Sequence, residues 1–235
     1  MADPEPALRV EDIHKSFGNI KVLRGISLEA YDHNVISILG SSGSGKSTMM
    51  NILGCLDRLT SGHYYIEGQE VSLLDDDTLS ELRLKHLGFI FQSFNLLPRL
   101  TAVENVAIPL TLAGVPQAER QERAKEMLKK VGLGHRLDHY PSELSGGEQQ
   151  RTAVARALIH KPSLILADEP TGELDSATGR QIMSLFQTIS IEENVTVVMV
   201  THDPVVEEYS SLVYHLNDGQ VAEVIEHPEN KVMPH

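Results

Sequence analysis

The sequence predicts an α/β fold, and three observations carry that reading. Apolar or β-branched runs bounded by turn residues recur at 8–10, 27–30, 35–39, 64–66, 87–90, 164–167, 195–200 and 211–216, as strands do. Several, such as Leu164-Ile165-Leu166-Ala167, are apolar without alternation, which suits strands covered on both faces of a sheet by helices. Between residues 94 and 160 the texture changes: β-branched runs are few, and a charged stretch over 117–131 sets Ala124, Met127, Leu128 and Val131 at helical spacing. A helical insertion within the core is therefore expected.

The 235 residues, 41% of them hydrophobic, are enough for a sizeable core. Lys and Arg total 20 against 33 Asp and Glu, a net charge of −13, which opposes a surface built to neutralise nucleic-acid phosphates or anionic lipid. No nucleic-acid partner is expected, and a phosphate ligand must be gripped locally. Cys55 is the only cysteine, so neither an intrachain disulfide nor a multi-cysteine metal site can form, which fits a cytoplasmic setting. The opening residues are acidic and broken by proline rather than leader-like, and no run approaches the ~20 apolar residues of a membrane span. Any membrane role is expected to come through a partner, without direct insertion. Residues 227–235 read as a short polar tail.

The stretch Gly40-Ser41-Ser42-Gly43-Ser44-Gly45-Lys46-Ser47 fits G-x-x-x-x-G-K-[ST] in full, after the strand at 35–39 and before a helix expected over 48–56, which Thr48 opens. Its glycines let the loop turn with backbone N–H groups pointing inward, and the helix start adds its positive end, so a polyphosphate can be held by dipoles. Lys46 brings a mobile charge to the terminal phosphates, and the Ser47 hydroxyl is placed to ligate magnesium. Gly/Ser turns that bind nothing rarely carry Lys-Ser at this spacing.

A second feature ends the strand at 164–167: Asp168 and Glu169 follow it directly, at the carboxyl edge of the sheet where ligands of open α/β folds sit. Asp168 is suited to orient magnesium through its water shell, and Glu169 to polarise an attacking water as general base.

Many nucleotide-binding proteins share those two features. Leu144-Ser145-Gly146-Gly147-Glu148-Gln149-Gln150-Arg151 is more particular, and it resembles the LSGGQ signature of the ABC ATPase family. Its physics is that of a second phosphate cradle: Ser145 and the N–H groups around Gly146 and Gly147 open a helix that runs through Ala157. Taken alone, the octamer reads as an ordinary capped helix start; its order among the other motifs points to the family. The resemblance covers nearly the whole chain. It implies a single domain, 1–235, with a P-loop NTPase (RecA-like) core over 1–92 and 160–235, an antiparallel β subdomain, and an inserted helical subdomain over 93–159. It also implies ATP and Mg2+ as ligands, and a second copy of the chain whose Ser145, Gly146, Gly147 and Glu148 cap an ATP held by Lys46.

Four further positions resemble family landmarks. Phe17 looks like the aromatic that stacks on adenine, Gln92 like the glutamine that reaches magnesium and the attacking water, His202 like the histidine that contacts the γ-phosphate, and Asp175 like the aspartate that crosses the dimer. Each has an ordinary alternative: a turn aromatic, a surface amide, a structural hydrogen-bonder and an acid near a helix start. The chain departs from the family pattern at Glu148, where many members have glutamine, and at Glu173, where Ala or Asn is usual.

Gly54-Cys55-Leu56-Asp57, the segment from Phe94 to Val106, and Ala167-Asp168-Glu169-Pro170-Thr171-Gly172 resemble the branch of lipoprotein release, macrolide export and antimicrobial-peptide resistance. The resemblance implies an ATPase that drives a separate membrane permease from the inner face of the cell membrane, with the apolar loop around 92–105 as docking surface or as a buried hinge. Two other classes are a regulatory clamp of a cell-division-type complex and a non-transport ABC ATPase of repair or translation. Against the latter, repair motors split the motifs around a long coiled coil whereas Lys46 and Ser145 are 99 residues apart, translation factors carry two cassettes with a basic linker whereas these 235 residues hold one motif set, and the charge is acidic.

Overall fold

The computed structural model describes residues 6–230 of the chain. After the hairpin of β1 (Leu8–Phe17) and β2 (Ile20–Ala30), the chain crosses to β3 (Val35–Gly40), turns into α1 (Lys46–Leu53) and returns as β4 (Ser61–Ile66) and the short β5 (Gln69–Glu70). Helix α2 (Asp76–His86) leads into β6 (Leu87–Ile90), and three helices follow: α3 (Ala102–Leu112), α4 (Gln117–Lys130) and α5 (Gly146–Leu158). The remainder is β7 (Leu164–Asp168), α6 (Ser176–Glu192), β8 (Thr196–Thr201) and the hairpin of β9 (Leu212–Asn217) and β10 (Gln220–Glu226).

Two sheets result. One is antiparallel, in the order β2-β1-β4-β5; the other runs β10-β9-β3-β8-β7-β6 and is parallel except at β10. The unbroken apolar runs have the expected cause. Ile165, Ala167, Val197 and Met199 pack with Leu128, Val154 and Phe186 of the helices. Leu164, Leu166, Val198 and Val200 pack on the other face with Met49 and Ile52 of α1 and with Leu8 and Ile26 of the antiparallel sheet. Helix α4 buries Ala124, Met127 and Leu128, the stripe its spacing predicts.

Several elements depart from the sequence expectation. β1 runs to Phe17, well beyond the expected 8–10, because register shifts after Val10, Ile13 and Lys15 and a φ of 49° at Asp12 break the two-residue alternation. β10 lies outside the expected strands: it is an edge strand exposed along most of its length, with Glu223 and Glu226 in place of an apolar face. Its signal was the turn, where Asp218 (φ 48°) and Gly219 (φ 77°) make the Asp-Gly pair that favours a tight hairpin. α1 starts at Lys46 and ends at Leu53 rather than spanning 48–56, because Cys55 takes the left-handed φ of 52° that stops a helix, a task usually given to glycine. α2 buries only Leu79 and Leu82; its sequence signals were the Asp75 cap and the basic last turn.

Residues 227–230 are not a free tail. His227 N–H donates to the Ser211 carbonyl at 2.9 Å, and the Asn230 amide donates to the carbonyls of Glu208 and Ser210. The rest of the expected tail, 231–235, and the opening residues 1–5 lie outside the described residues. Among the described residues, no helix is long and apolar enough to cross a membrane.

Candidate active site

The parallel strands β3, β6, β7 and β8 direct their carboxyl ends to one edge, and a cavity of about 700 Å3 opens there. It is lined by Ser41, Ser42, Gly43, Gly45, Lys46, Ser47 and Thr48 from the loop after β3, Gln92 after β6, Asp168 and Glu169 from β7, His202 after β8, and Val22 from β2. Val22 was missed by sequence reasoning, because its strand was expected to begin five residues later.

The loop between β3 and α1 needs its glycines for different reasons. At Gly40 a Cβ would lie 2.5 Å from Ser44 Oγ and 2.6 Å from the Leu216 carbonyl, so close packing excludes any side chain. Gly43 and Gly45 adopt φ of 83° and 104°, the left-handed region open to glycine. A Cβ on Gly43 would meet nothing within 4 Å, which leaves its outer side open to the cavity. Helix α1 has no side-chain cap and no acid in its first turn, so its first N–H groups remain for a ligand. Lys46 Nζ donates to the carbonyls of Gly40 (2.7 Å) and Ser41 (3.0 Å). Ser44 is buried behind the loop, its Oγ without a hydrogen-bond partner.

Opposite the loop stand the acids. Burial, and next the neighbouring Glu169, raise the Asp168 carboxyl above its ordinary range, while Lys46 draws it down. Glu169 sits at φ 47°, a conformation that costs a non-glycine residue about 1 kcal/mol or more. It is held there by its N–H on the Val200 carbonyl (2.8 Å) and by its carboxylate. Oε2 accepts from Thr201 Oγ1 (2.7 Å) and from His202 N–H (3.3 Å), and Oε1 lies 2.8 Å from His202 Nδ1. Gln92 is exposed on the cavity, and Gly172 makes room for it: a Cβ there would lie 2.9 Å from Gln92 Nε2.

Magnesium fits this donor set. Ser47 and Asp168 offer hard oxygen ligands on one cavity, and the burial that raises Asp168 is offset by a cation. Among the described residues no cluster of three His, Cys, Asp or Glu is poised to hold a metal, so a resident ion would share its shell with water and phosphate oxygens, as magnesium does.

Other sequence-predicted residues stand apart from the cavity. Ser145 is exposed at the start of α5, where its Oγ accepts from Glu148 N–H and the Glu148 carboxylate accepts from Ser145 N–H. Gly147 is packed on α6, where a Cβ would lie 2.6 Å from Thr178 Cγ2, while Gly146 is half-buried against Leu174. The Glu148 carboxylate, expected near a ligand, is committed inside the chain: the Ser145 N–H, together with Arg136 at 2.8 Å, holds its pKa down at about 2. Asp175 caps α6, accepting from the N–H groups of Ala177 and Thr178, the ordinary alternative for an acid at that place. Phe17 is 52% exposed with Lys15 Nζ 4.7 Å from its ring centroid; one face carries the cation and the residue is outside the cavity lining.

Comparison with known proteins gives one answer. The family model described as ABC transporter matches residues 23–172. An uncharacterised ABC transporter ATP-binding protein of Thermotoga maritima is 50% identical over 218 residues, 91% of this chain and 93% of its own length. The macrolide export ATP-binding/permease protein MacB of Syntrophobacter fumaroxidans is 50% identical over 220 residues, 91% of this chain but 31% of that protein; the chain thus spans about a third of the exporters it matches. Among solved structures, a dimeric structure of MJ0796, a bacterial ABC transporter cassette, has a TM-score of 0.84 and 42% identity, over 96% of this chain and all of that one. The same cassette is known dimeric in a post-hydrolysis state bound to ADP and Pi. With its cradle, acid pair and signature helix in one chain, the protein belongs to the ABC transporter family and is one of its ATPase cassettes.

Proposed function

We propose that two copies of this chain close face to face around two ATP molecules and that ATP hydrolysis drives a separate membrane permease. The observation that carries this is the division of the machinery. Lys46, Ser47, Asp168, Glu169, Gln92 and His202 share one cavity, whereas Ser145, Gly146 and Gly147 lie outside its lining, at a helix start whose Ser145 is exposed and open to a ligand held by another molecule. The dimeric cassette at 42% identity supports the same arrangement.

Within each site the loop N–H groups and Lys46 grip the β- and γ-phosphates. Magnesium, ligated by Ser47 and Asp168 within reach of Gln92, would supply electrostatic stabilisation of the charge on the transferring group. Glu169 orients the attacking water and takes up its proton, while His202, 2.8 Å from the Glu169 carboxylate, contacts the γ-phosphate. Phe17 offers its open ring face to the base. ADP lacks the phosphate that the signature helix start caps, so hydrolysis removes the contact that joins the two copies.

The permease is proposed to engage the helical stretch over 93–159. A second cavity of about 450 Å3, lined by Leu84, Phe89, Phe91, Leu97, Ile108 and Leu112 among others, lies against that stretch. Its apolar, partly exposed lining suits a docked helix. The loop expected as docking surface or hinge divides the two tasks: Phe94 is buried while Leu97 is 49% exposed. Similarity to the exporters favours efflux or envelope work from the inner face of the membrane, with the protein itself cytoplasmic. The test is Glu169→Gln: ATP binding is retained and phosphate release falls by a factor of roughly 100 or more. Unchanged turnover in that variant would overturn the assignment.

A further inference from the structure

We propose that Thr201 is a positioning residue for Glu169, aiming its carboxylate through a hydroxyl whose single proton has only one place to go. The inference rests on the general-base role proposed for Glu169.

Thr201 ends β8 and is fully buried, so water does not compete for its hydroxyl. Its Oγ1 accepts the Asp203 N–H at 3.1 Å and stands 2.7 Å from Glu169 Oε2. With a lone pair taken by that backbone donor, the hydroxyl proton points to the carboxylate. The sheet fixes the geometry: β7 and β8 run parallel with Asp168 opposite Val200, so the residue after each is brought side by side. The other donors to the carboxylate are less constraining. The His202 N–H is long, at 3.3 Å, and the His202 ring is 68% exposed and expected to move when phosphate arrives. The His202 ring contact, at 2.8 Å, is nearly as short, but the 2.7 Å charge-assisted hydrogen bond from Thr201 is the one whose donor is fully buried. It leaves Oε1 as the oxygen presented to the water once His202 turns away.

The hydroxyl is also costly for a strand interior without a partner, and valine is the same shape. Thr201→Val therefore keeps the β-branched packing of β8 and removes the hydroxyl, both as donor to Glu169 and as acceptor for the Asp203 N–H. Thr201→Ala removes it with less crowding if valine disturbs folding, and Thr201→Ser restores it.

The experiment measures, on the full chain, phosphate release as kcat and KM, the dissociation constant for a fluorescent ATP analogue, and the melting temperature. Expected is a fall in kcat on the order of tenfold for Thr201→Val and Thr201→Ala, with KM and nucleotide affinity within about twofold. Thr201→Ser is expected to regain at least about half of the wild-type kcat. A kcat near wild type in the folded valine or alanine variant overturns the proposal, as does a serine variant as slow as valine. If instead the wild type releases no phosphate, or Glu169→Gln is fully active, the general-base reading itself has failed and Thr201 is not at fault.

Discussion

Two helix starts in this molecule are built to opposite specifications. α1 opens at Gly45 with no side-chain cap and no acid in its first turn; α5 opens at Ser145 with a reciprocal cap to Glu148, itself braced by Arg136. The first leaves its N–H groups unsatisfied until an anion arrives, and so pulls a phosphate by itself. The second satisfies the donors at 145 and 148 internally and leaves those of Gly146 and Gly147 for a ligand. Its pull is weaker, and it matters only when another molecule brings the phosphate to it. The contrast teaches that nucleotide affinity resides in the first helix start and assembly in the second.

The sharpest way to break that contrast is at Lys46. Lys46→Ala removes the charge beside the open helix start, and ATP affinity measured by fluorescence titration is expected to fall on the order of 100-fold; an unchanged affinity would place the grip elsewhere. Ser145→Ala should act the other way round. Nucleotide affinity of the single chain stays within about twofold, while ATP turnover falls roughly tenfold and the melting curve reports a cap loss of about 1 kcal/mol. A comparable loss of affinity at both positions would erase the distinction.

The smallest effect concerns the brace. The Glu148 carboxyl is held at about 2 in the folded chain against an ordinary 4.5, so the unfolded chain binds that proton more readily. The stability this contributes is fully present above pH 4.5 and is lost as pH falls toward 2. Glu148→Gln lacks this component, so its denaturation midpoint should decline less steeply than wild type over that acid range; parallel declines would show that the brace does not stabilise the fold.

How much of this was legible in the sequence depends on distance along the chain. The cavity residues from Ser41 to Thr48 and the pair Asp168 and Glu169 were readable because each group directly follows a strand whose burial on both faces forces an unbroken apolar run. Val22, the Arg136–Glu148 brace and the Thr201–Glu169 bond were not. Each joins residues whose meeting depends on strand order or helix packing, and nothing near Thr201 in sequence says that β8 lies beside β7. Asp175 was readable in both its senses at once, since an acid before a helix serves as cap whether or not it also meets a second copy. β10 escaped for the opposite reason: an edge strand has no buried face to announce it, and only its Asp218-Gly219 turn spoke for it.

The central claim is that each ATP is held by two chains. The direct measurement is a structure of the full-length Glu169→Gln protein with ATP and magnesium. The account predicts a pair of copies in which each triphosphate contacts Lys46 of one and Ser145 of the other. Nucleotide bound by a single chain, with the Ser145 helix start facing solvent under conditions where the wild type hydrolyses ATP, would contradict it.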